Sequence, residues 1–483
     1  MSRCLLLFLC LSLSILKGQG VSLSLDSAVR EALIANFDIR ASLLSTEQSL
    51  IGIEQAESAF DWELSADLNY RERLSPGSNT DQSGNSSPSS ETINGGLGLR
   101  KRTSLGTRVG LSTGNSYSSF SEDIATDLSL SINQPLLSGA GKTVNLANVF
   151  RRRVQSESAL LEYRQAVLNL IEDVSLAYWD LALVQEERSL LASSLEVADS
   201  LVSETERRRE LGLATDIEVL RAQVSQSERR EALLNIDRGI EAASDRLLLL
   251  QGKSAIDFPV QQVDAMSAIS PEVPVLANWM PRVRETDFDL RILQNNFRID
   301  EREREVAERN LLPEVGLTLR GSVLGRSEDI SDAYEDALSR SGYNWSAGVS
   351  LSMPWGRRAE KADLRNAQIA LRRNELRREE RVVGIQLEAR RVLRDLKTGL
   401  AALELAETQV ELNRRLFEQE RARYRAGTEA FRDVLEAQRT WDNAELSRLR
   451  RLRDVHRADL IRARLDHELF SRFGIVWDAD QQL

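Results

Sequence analysis

The chain repeats itself, and this repetition limits its possible folds more than any other feature. Phe37-Asp38-Ile39-Arg40 returns as Phe288-Asp289-Leu290-Arg291, an offset of 288 − 37 = 251. Ala56-Glu57 with Ala307-Glu308, and Leu64 with Val315, keep that offset without a gap. Further along, Val219-Leu220-Arg221-Ala222-Gln223 matches Val434-Leu435-Glu436-Ala437-Gln438, with Gly212 and Gly427 in register, at 434 − 219 = 215. The second copy is therefore shorter by 251 − 215 = 36 residues. Pro135 pairs with Pro354, so most of the deficit falls between Leu64 and Pro135.

Each copy reads helix, strands, long helix, turn, helix. The first covers 21–250: a helix over 25–60, a β region over 62–135, a long helix over 144–210, a tip turn at 211–215 and a helix over 216–250. A linker at 251–275 carries several of the few prolines. The second copy covers 276–473: a helix over 276–312, a β region over 313–354, a long helix over 358–425, a tip turn at 426–429 and a helix over 430–472. Residues 474–483 form a tail.

The β regions alternate with period two. Trp62, Leu64, Ala66, Leu68 and Tyr70 interleave with Glu63, Ser65, Asp67, Asn69 and Arg71. Leu128, Leu130 and Ile132 alternate with Ser129, Ser131 and Asn133; Val315, Leu317 and Leu319 oppose Gly316, Thr318 and Arg320. Trp345, Ala347, Val349, Leu351 and Met353 oppose Ser346, Gly348, Ser350 and Ser352. Strands of about ten residues with one apolar and one polar face suit a barrel with lipid outside and water inside, although a soluble sandwich gives the same alternation. Polar stretches at 75–91 and 325–344 read as extracellular loops. A further hairpin is expected from 96–101 and 106–113, so the chain offers four to six strands. The smallest transmembrane barrels need 8 strands, and an open sheet in lipid leaves backbone groups unsatisfied. A membrane reading therefore requires closure with other copies.

The long helices carry no proline over 144–210. Their apolar residues step by three and four: Val167, Ile171, Val174, Tyr178, Leu181 and Val184, then Leu191, Leu195, Ala198 and Val202, with Arg188 interrupting. Val382, Ile385, Ala389, Val392 and Leu396, then Leu403, Ala406 and Val410, do the same in the second copy. This is coiled-coil packing. Each long helix stops near a glycine, Gly212 or Gly427, with Thr215 and Thr428 as expected caps of the next helix.

The first twenty residues read as an export signal: Arg3, an apolar run over 4–15, then Lys17, Gly18, Gln19 and Gly20. Both cysteines, Cys4 and Cys10, fall inside it. Phe8 and Leu9 make Cys10 a poor lipid-attachment site, since small residues are expected there. After cleavage no thiol would remain for a disulfide or a metal. Net charge is -11, and the arginine-rich segment from Arg448 to Arg453 is interleaved with leucine, so nucleic acid is not an expected partner. His456 and His467 are eleven apart (467 − 456), too far for one metal, and are expected at the surface. With no phosphate loop, nucleophile elbow or acid/base pair, no residues carry an enzyme reading and no cofactor is expected. The non-membrane alternative is a periplasmic coiled-coil scaffold, which the apolar strand faces disfavour.

Taken in order, these residues resemble a family, the TolC-like outer-membrane factors, over nearly the whole mature chain. Leu25 to Arg40, with Ala28, Ala32-Leu33 and Asn36-Phe37, resembles the opening helix. Leu311-Leu312-Pro313-Glu314 resembles the step into a strand, and Gln134-Pro135-Leu136-Leu137 with Gly139 and Gly141 the strand exit. Arg423-Tyr424-Arg425-Ala426-Gly427 through Asp433-Val434-Leu435 resembles the periplasmic tip hairpin. The resemblance implies an α+β membrane protein: a homotrimer whose transmembrane β-barrel in outer-membrane lipid is continued by a long α-helical coiled-coil barrel in the periplasm. It implies docking to a periplasmic adaptor and an inner-membrane transporter, as the exit duct for efflux or type I secretion. It further implies a closable aperture lined by Asp433 and Glu436, with Glu218 at an acidic position on the first tip helix and Tyr424 as a latch tyrosine. Glu429 stands where the family's latch has an arginine, which puts that latch in doubt here. The turns, at Gly212, Leu213, Thr215, Gly427 and Thr428, are then the adaptor contacts.

Overall fold

The computed structural model describes residues 22–74, 89–119, 123–339, 342–475 and 477. The export signal at 1–20, most of the loop at 75–91 and most of the tail lie outside them. The first copy runs α1 (Leu25–Ala35), α2 (Phe37–Glu57), β1 (Trp62–Leu74), β2 (Ser89–Arg102), β3 (Arg108–Ser118), β4 (Ile124–Pro135), α3 (Lys142–Asn145), α4 (Ala147–Glu210) and α5 (Asp216–Leu250). The second runs α6 (Leu276–Thr286), α7 (Phe288–Asn310), β5 (Glu314–Ser327), α8 (Ile330–Leu338), β6 (Gly342–Ser352), α9 (Arg358–Arg425), α10 (Phe431–Leu465) and α11 (Glu468–Arg472).

Four helices read as continuous are divided. Asn36 ends α1 and starts α2: its Oδ1 accepts from the backbone N–H of Asp38 at 2.9 Å and of Ile39 at 3.1 Å. Asp287 stands at the equivalent position of the second copy and separates α6 from α7. The last helix stops at Leu465, and His467, with φ 59°, precedes the short α11. The helix expected from 144 starts as the one-turn α3 before α4 begins at Ala147.

One compact unit comprises Leu43–Tyr163 and Phe288–Val383. It holds a six-stranded antiparallel sheet in strict chain order, β1 to β6. The register sorts side chains into rows. Leu64 pairs with Leu99, Leu99 with Leu111, and Leu111 with Leu130, which makes one apolar row. The adjacent row is polar: Ser65 with Gly98, Gly98 with Ser112, Ser112 with Ser129, and Ser129 with Ser322. The sheet thus has one face for hydrocarbon and one for water, as the alternation required. The stretch at 325–344 is not a plain loop, because α8 forms within it. The helix presents buried Ala333 and Ala337 to the sheet at Gly325, where a Cβ would lie 2.0 Å from the Ala333 carbonyl oxygen. Tyr334 holds it there, its hydroxyl 2.8 Å from Thr113 Oγ1 and accepting from Asn115 Nδ2 at 3.0 Å.

The other unit comprises Arg164–Asp287 and the described parts of Met1–Ser42 and Gly384–Leu483. It is helical. Its core follows the three-and-four step: Val167, Ile171, Val174, Tyr178 and Leu181 on α4, and Ile385, Ala389, Val392, Leu396, Leu403 and Ala406 on α9, are all buried. From Arg164 to Glu210 α4 contributes 210 − 164 + 1 = 47 residues to this unit, about 70 Å at 1.5 Å per residue. The linker lies along α4. Tyr178 donates to the Leu23 carbonyl at 2.9 Å and accepts from Asp264 N at 3.1 Å. Gln185 Nε2 donates to the Gln261 carbonyl at 2.7 Å. No described helix is long and apolar enough to cross a membrane.

Candidate functional site

Both tip turns are built the same way. At the end of α4, Gly212 adopts φ +71°, and at the end of α9, Gly427 adopts +77°. Only glycine takes this left-handed conformation without strain. In the first turn Leu213 N–H donates to Arg208 O at 2.7 Å and Gly212 N–H to Arg209 O at 2.9 Å. In the second, Thr428 N–H donates to Arg423 O at 3.1 Å and Gly427 N–H to Tyr424 O at 3.0 Å. Each pair is a Schellman closure, which satisfies carbonyls at the helix end. Thr428 is therefore not the cap of α10. It belongs to the turn, its hydroxyl donating to Arg423 O at 3.1 Å, and the cap residue is Ala430, which has no side-chain acceptor.

The helices that leave the turns start differently. Thr215 caps α5 through a reciprocal box: its Oγ1 accepts from Glu218 N at 3.3 Å, and Glu218 Oε2 accepts from Thr215 N at 2.7 Å. Glu218 is thus committed to its own helix start. Beside it, Arg209 pairs with Asp216 at 3.5 Å. In the second repeat the same two positions hold Tyr424 and Phe431, whose rings lie 5.2 Å apart. They form a core with Leu201, Val202, Ala222, Phe417, Val434 and Ala437.

Tyr424 is 4% exposed, with the Arg208 guanidinium 4.6 Å above its ring. Burial pushes its phenol above the ordinary value; Glu218 and Glu204 push the same way, and Thr205 and Arg208 oppose. Arg208 also donates to the Arg425 carbonyl at 3.1 Å. Glu204 on α4 takes Arg425 of α9 in a fork, at 2.9 and 3.2 Å, and Arg421 at 3.4 Å. The hydrogen bonds from Arg425 hold the Glu204 carboxyl below its ordinary range, against the effect of burial.

The acidic candidates do not form one cluster in a single chain. Asp433 is half-buried and pairs with Arg432 at 3.1 Å; Glu436 is exposed one turn further on. Arg439 continues the exposed face and pairs with Glu228 at 2.8 Å, so this face mixes both signs. Glu429 folds back toward Arg423, at 3.7 Å. Leu213 is exposed at the first turn.

Two features escape a reading of the sequence. One is the Glu204 clamp, which joins residues over 200 positions apart. The other is a buried polar junction of three helices. Arg229 on α5 donates to Ser194 Oγ at 2.7 Å and to Asp442 Oδ2 at 3.1 Å, and Ser194 donates to the same Asp442 oxygen at 2.7 Å. Burial pushes the Asp442 carboxyl up, while Ser194 and Arg229 oppose. A signal for it exists, since Arg229 continues the buried Val219, Ala222, Ser225 stripe of α5. The surface expectation for histidine also fails. His456 is buried, with Nε2 2.9 Å from the Ser267 carbonyl and its ring 4.9 Å from Trp179; burial lowers its pKa. His467 is half-buried, 5.7 Å from the Phe470 ring. Among the described residues no group of three or more His, Cys, Asp or Glu is placed to hold a metal.

The family model described as outer membrane efflux protein matches residues 28–253 and 279–462. Among solved structures the chain is similar to the outer-membrane channel OprN, at 19% identity and TM-score 0.71 over 92% of this chain and 89% of that one. It is similar to VceC of Vibrio cholerae at 16% identity and TM-score 0.68, covering 92% and 95%. It is also similar to the CmeC outer membrane channel of Campylobacter jejuni at 14% identity and TM-score 0.69, covering 97% and 92%. No curated protein matches the chain in sequence.

Proposed function

This chain belongs to the outer membrane efflux protein family, and we propose from that membership that three copies close a transmembrane β-barrel and extend it into the periplasm as a helical barrel. It is a transport protein of the outer membrane, not an enzyme. In the proposed assembly a periplasmic adaptor grips the helical tips, and an inner-membrane transporter loads the duct.

The observation that carries the reading is the two-faced sheet. Its edge strands hold their apolar side chains out: Leu64 and Leu68 on β1 are 76% and 79% exposed, and Val349 and Leu351 on β6 are 71% and 72%. Hydrocarbon satisfies that face, and neighbouring copies satisfy the edges. The helices support the same association. Ile369, Leu376 and Val383, then Leu405 and Leu412, form an exposed heptad-spaced stripe on α9, and Ile217, Leu220 and Val224 are exposed on α5.

We place the gate at the second tip. Threefold repetition of Asp433 and Glu436 sets six carboxylates around an axis, a ring that attracts cations, moderated by Arg432. Tyr424, packed under Arg208, and Glu204, forked by Arg425, hold that tip to α4. Glu429 turns toward Arg423 of its own chain and takes no part in the ring. Glu218 serves as a cap. The turns at Gly212, Leu213, Thr215, Gly427 and Thr428 are the adaptor contacts, with exposed Leu213 as an apolar anchor.

Planar-bilayer recording tests the gate. Asp433→Ala combined with Glu436→Ala is expected to weaken block by divalent cations. Unchanged block removes the gate assignment. Absence of any channel from the unaltered protein removes the channel reading itself.

A further inference from the structure

We propose that the barrel this chain builds has eighteen strands, six from each of three copies, and that its lumen is widened by a hairpin carried only in the first repeat. The proposal rests on the channel reading above. By the repeat, β1 corresponds to β5 and β4 to β6, since Leu64 aligns with Val315 and Pro135 with Pro354. The hairpin of β2 and β3 has no counterpart, and it accounts for most of the surplus length of the first repeat. Two equal repeats would give four strands per chain and a barrel of twelve.

The inserted strands are wall, not ornament. All of β1 pairs with β2, from Trp62↔Lys101 to Leu74↔Ser89, and β3 pairs with β4 from Arg108↔Asn133 to Tyr117↔Ile124. No ladder joins β1 to β4 directly: the hairpin separates them. The faces match as well. Ile93, Leu97 and Leu99 on β2, and Val109 and Leu111 on β3, continue the apolar face of β1 and β4. Asn94, Arg100, Arg108 and Ser112 continue the polar one. On that polar face the insert is shaped to its neighbour. A Cβ at Gly96 would come within 2.9 Å of Asp67 Oδ1, and one at Gly98 within 2.7 Å of Ser65 Oγ. Side chains of β1 lean over the backbone of β2, which only a strand built into this sheet would accommodate.

Closure obeys the same parity. Every neighbouring pair is antiparallel, so β1 and β6 run in opposite directions, and β6 of one copy meets β1 of the next as a further antiparallel pair. With strands about 4.8 Å apart and tilted about 40°, eighteen strands give a backbone diameter of about 36 Å, against about 24 Å for twelve. The expected gain in diameter is about 1.5-fold. A duct of that width passes larger cargo than the one two equal repeats would build.

Electron cryomicroscopy of the full mature protein in lipid nanodiscs tests this directly. The expected result is a threefold particle with eighteen strands in the wall. A second measurement uses engineered thiols, because the only cysteines, Cys4 and Cys10, lie before residue 21. If β1 paired with β4 as β5 pairs with β6, Ala66 would face Leu130, the equivalents of Leu317 and Val349. Ala66→Cys with Leu130→Cys should therefore form no disulfide within a chain, since β1 and β4 stand about 14 Å apart across two strands. A threefold particle with twelve strands, or a fast disulfide within each chain, overturns the eighteen-strand barrel and leaves the channel standing. A particle with no closed barrel in lipid overturns both.

Discussion

The two helical tips share a turn and differ in the helix that leaves it. Each closes with a glycine at positive φ and the same pair of backbone hydrogen bonds. Beyond that point the repeats have exchanged chemistry at matching positions. Thr215 with Glu218 caps α5 from its own sequence, where Ala430 leaves α10 uncapped. Arg209 and Asp216 make an exposed ion pair where Tyr424 and Phe431 make a buried ring pair. The first tip shares that core through Val202 and Ala222 and adds short-range polar contacts of its own. The second is held by tertiary packing against α4 and the Glu204 clamp. A helix held only by its neighbours moves when they move, which suits the tip assigned to gating.

Substitutions at matching positions put this contrast to the test. The largest effect is expected at Phe431, which is 1% exposed: Phe431→Ala should cost about 3–5 kcal/mol of local stability. Asp216→Ala at the matching site should cost no more than about 0.5 kcal/mol. Hydrogen exchange at the starts of α10 and α5 reads both, and equal losses would end the distinction.

A smaller effect is expected at Glu204, where Glu204→Gln should loosen the α4–α9 contact by about 1 kcal/mol after screening. Its pH dependence comes from the lowered carboxyl pKa. The contribution is complete above the ordinary carboxylate value and is lost as pH falls through the depressed one. Exchange protection at the end of α9 should therefore fall on acidification in the native protein and change less in the variant. A pH profile identical in the two would show that Glu204 is not the clamp.

The smallest effects concern the caps. Thr215→Ala should destabilise the start of α5 by about 1 kcal/mol, while Ala430→Thr should stabilise the start of α10 by somewhat less. If Ala430→Thr also slows channel opening in bilayers, the missing cap is functional. A stabilised helix with unchanged opening would make it incidental.

The features legible in the chain alone divide from the rest along physical lines. Alternation, heptad steps and the duplication are periodic, so each residue corroborates its neighbours, and the strand faces and helix cores emerge from them. Single-residue assignments have no such support. Thr428 carries the right side chain for a cap but sits two residues early, inside the turn, and Ala430 gives no signal at all. The nine residues of α8 are too few and too acidic to declare a helix; Gly325 and Tyr334, which hold it to the sheet, lie outside the helix pattern or look like ordinary loop residues. Histidine as a residue type points to the surface, yet His456 faces the linker and Trp179. The Glu204 fork and the Arg229–Asp442 junction are long-range pairings, which local patterns do not encode. The strand count stays open in the sequence because a glycine-rich hairpin reads equally as wall or as loop until its pairing is seen.

The strict up-and-down order of the sheet has a consequence for how such ducts diversify. A single added strand would leave the two edges parallel and spoil the seam between copies, so growth proceeds by whole hairpins. Under threefold symmetry each hairpin is copied three times, and the circumference changes in steps of six strands. Bore size in this architecture is therefore quantised: evolution can choose among a few calibres, and the thirty-odd extra residues of one repeat are enough to move from one to the next.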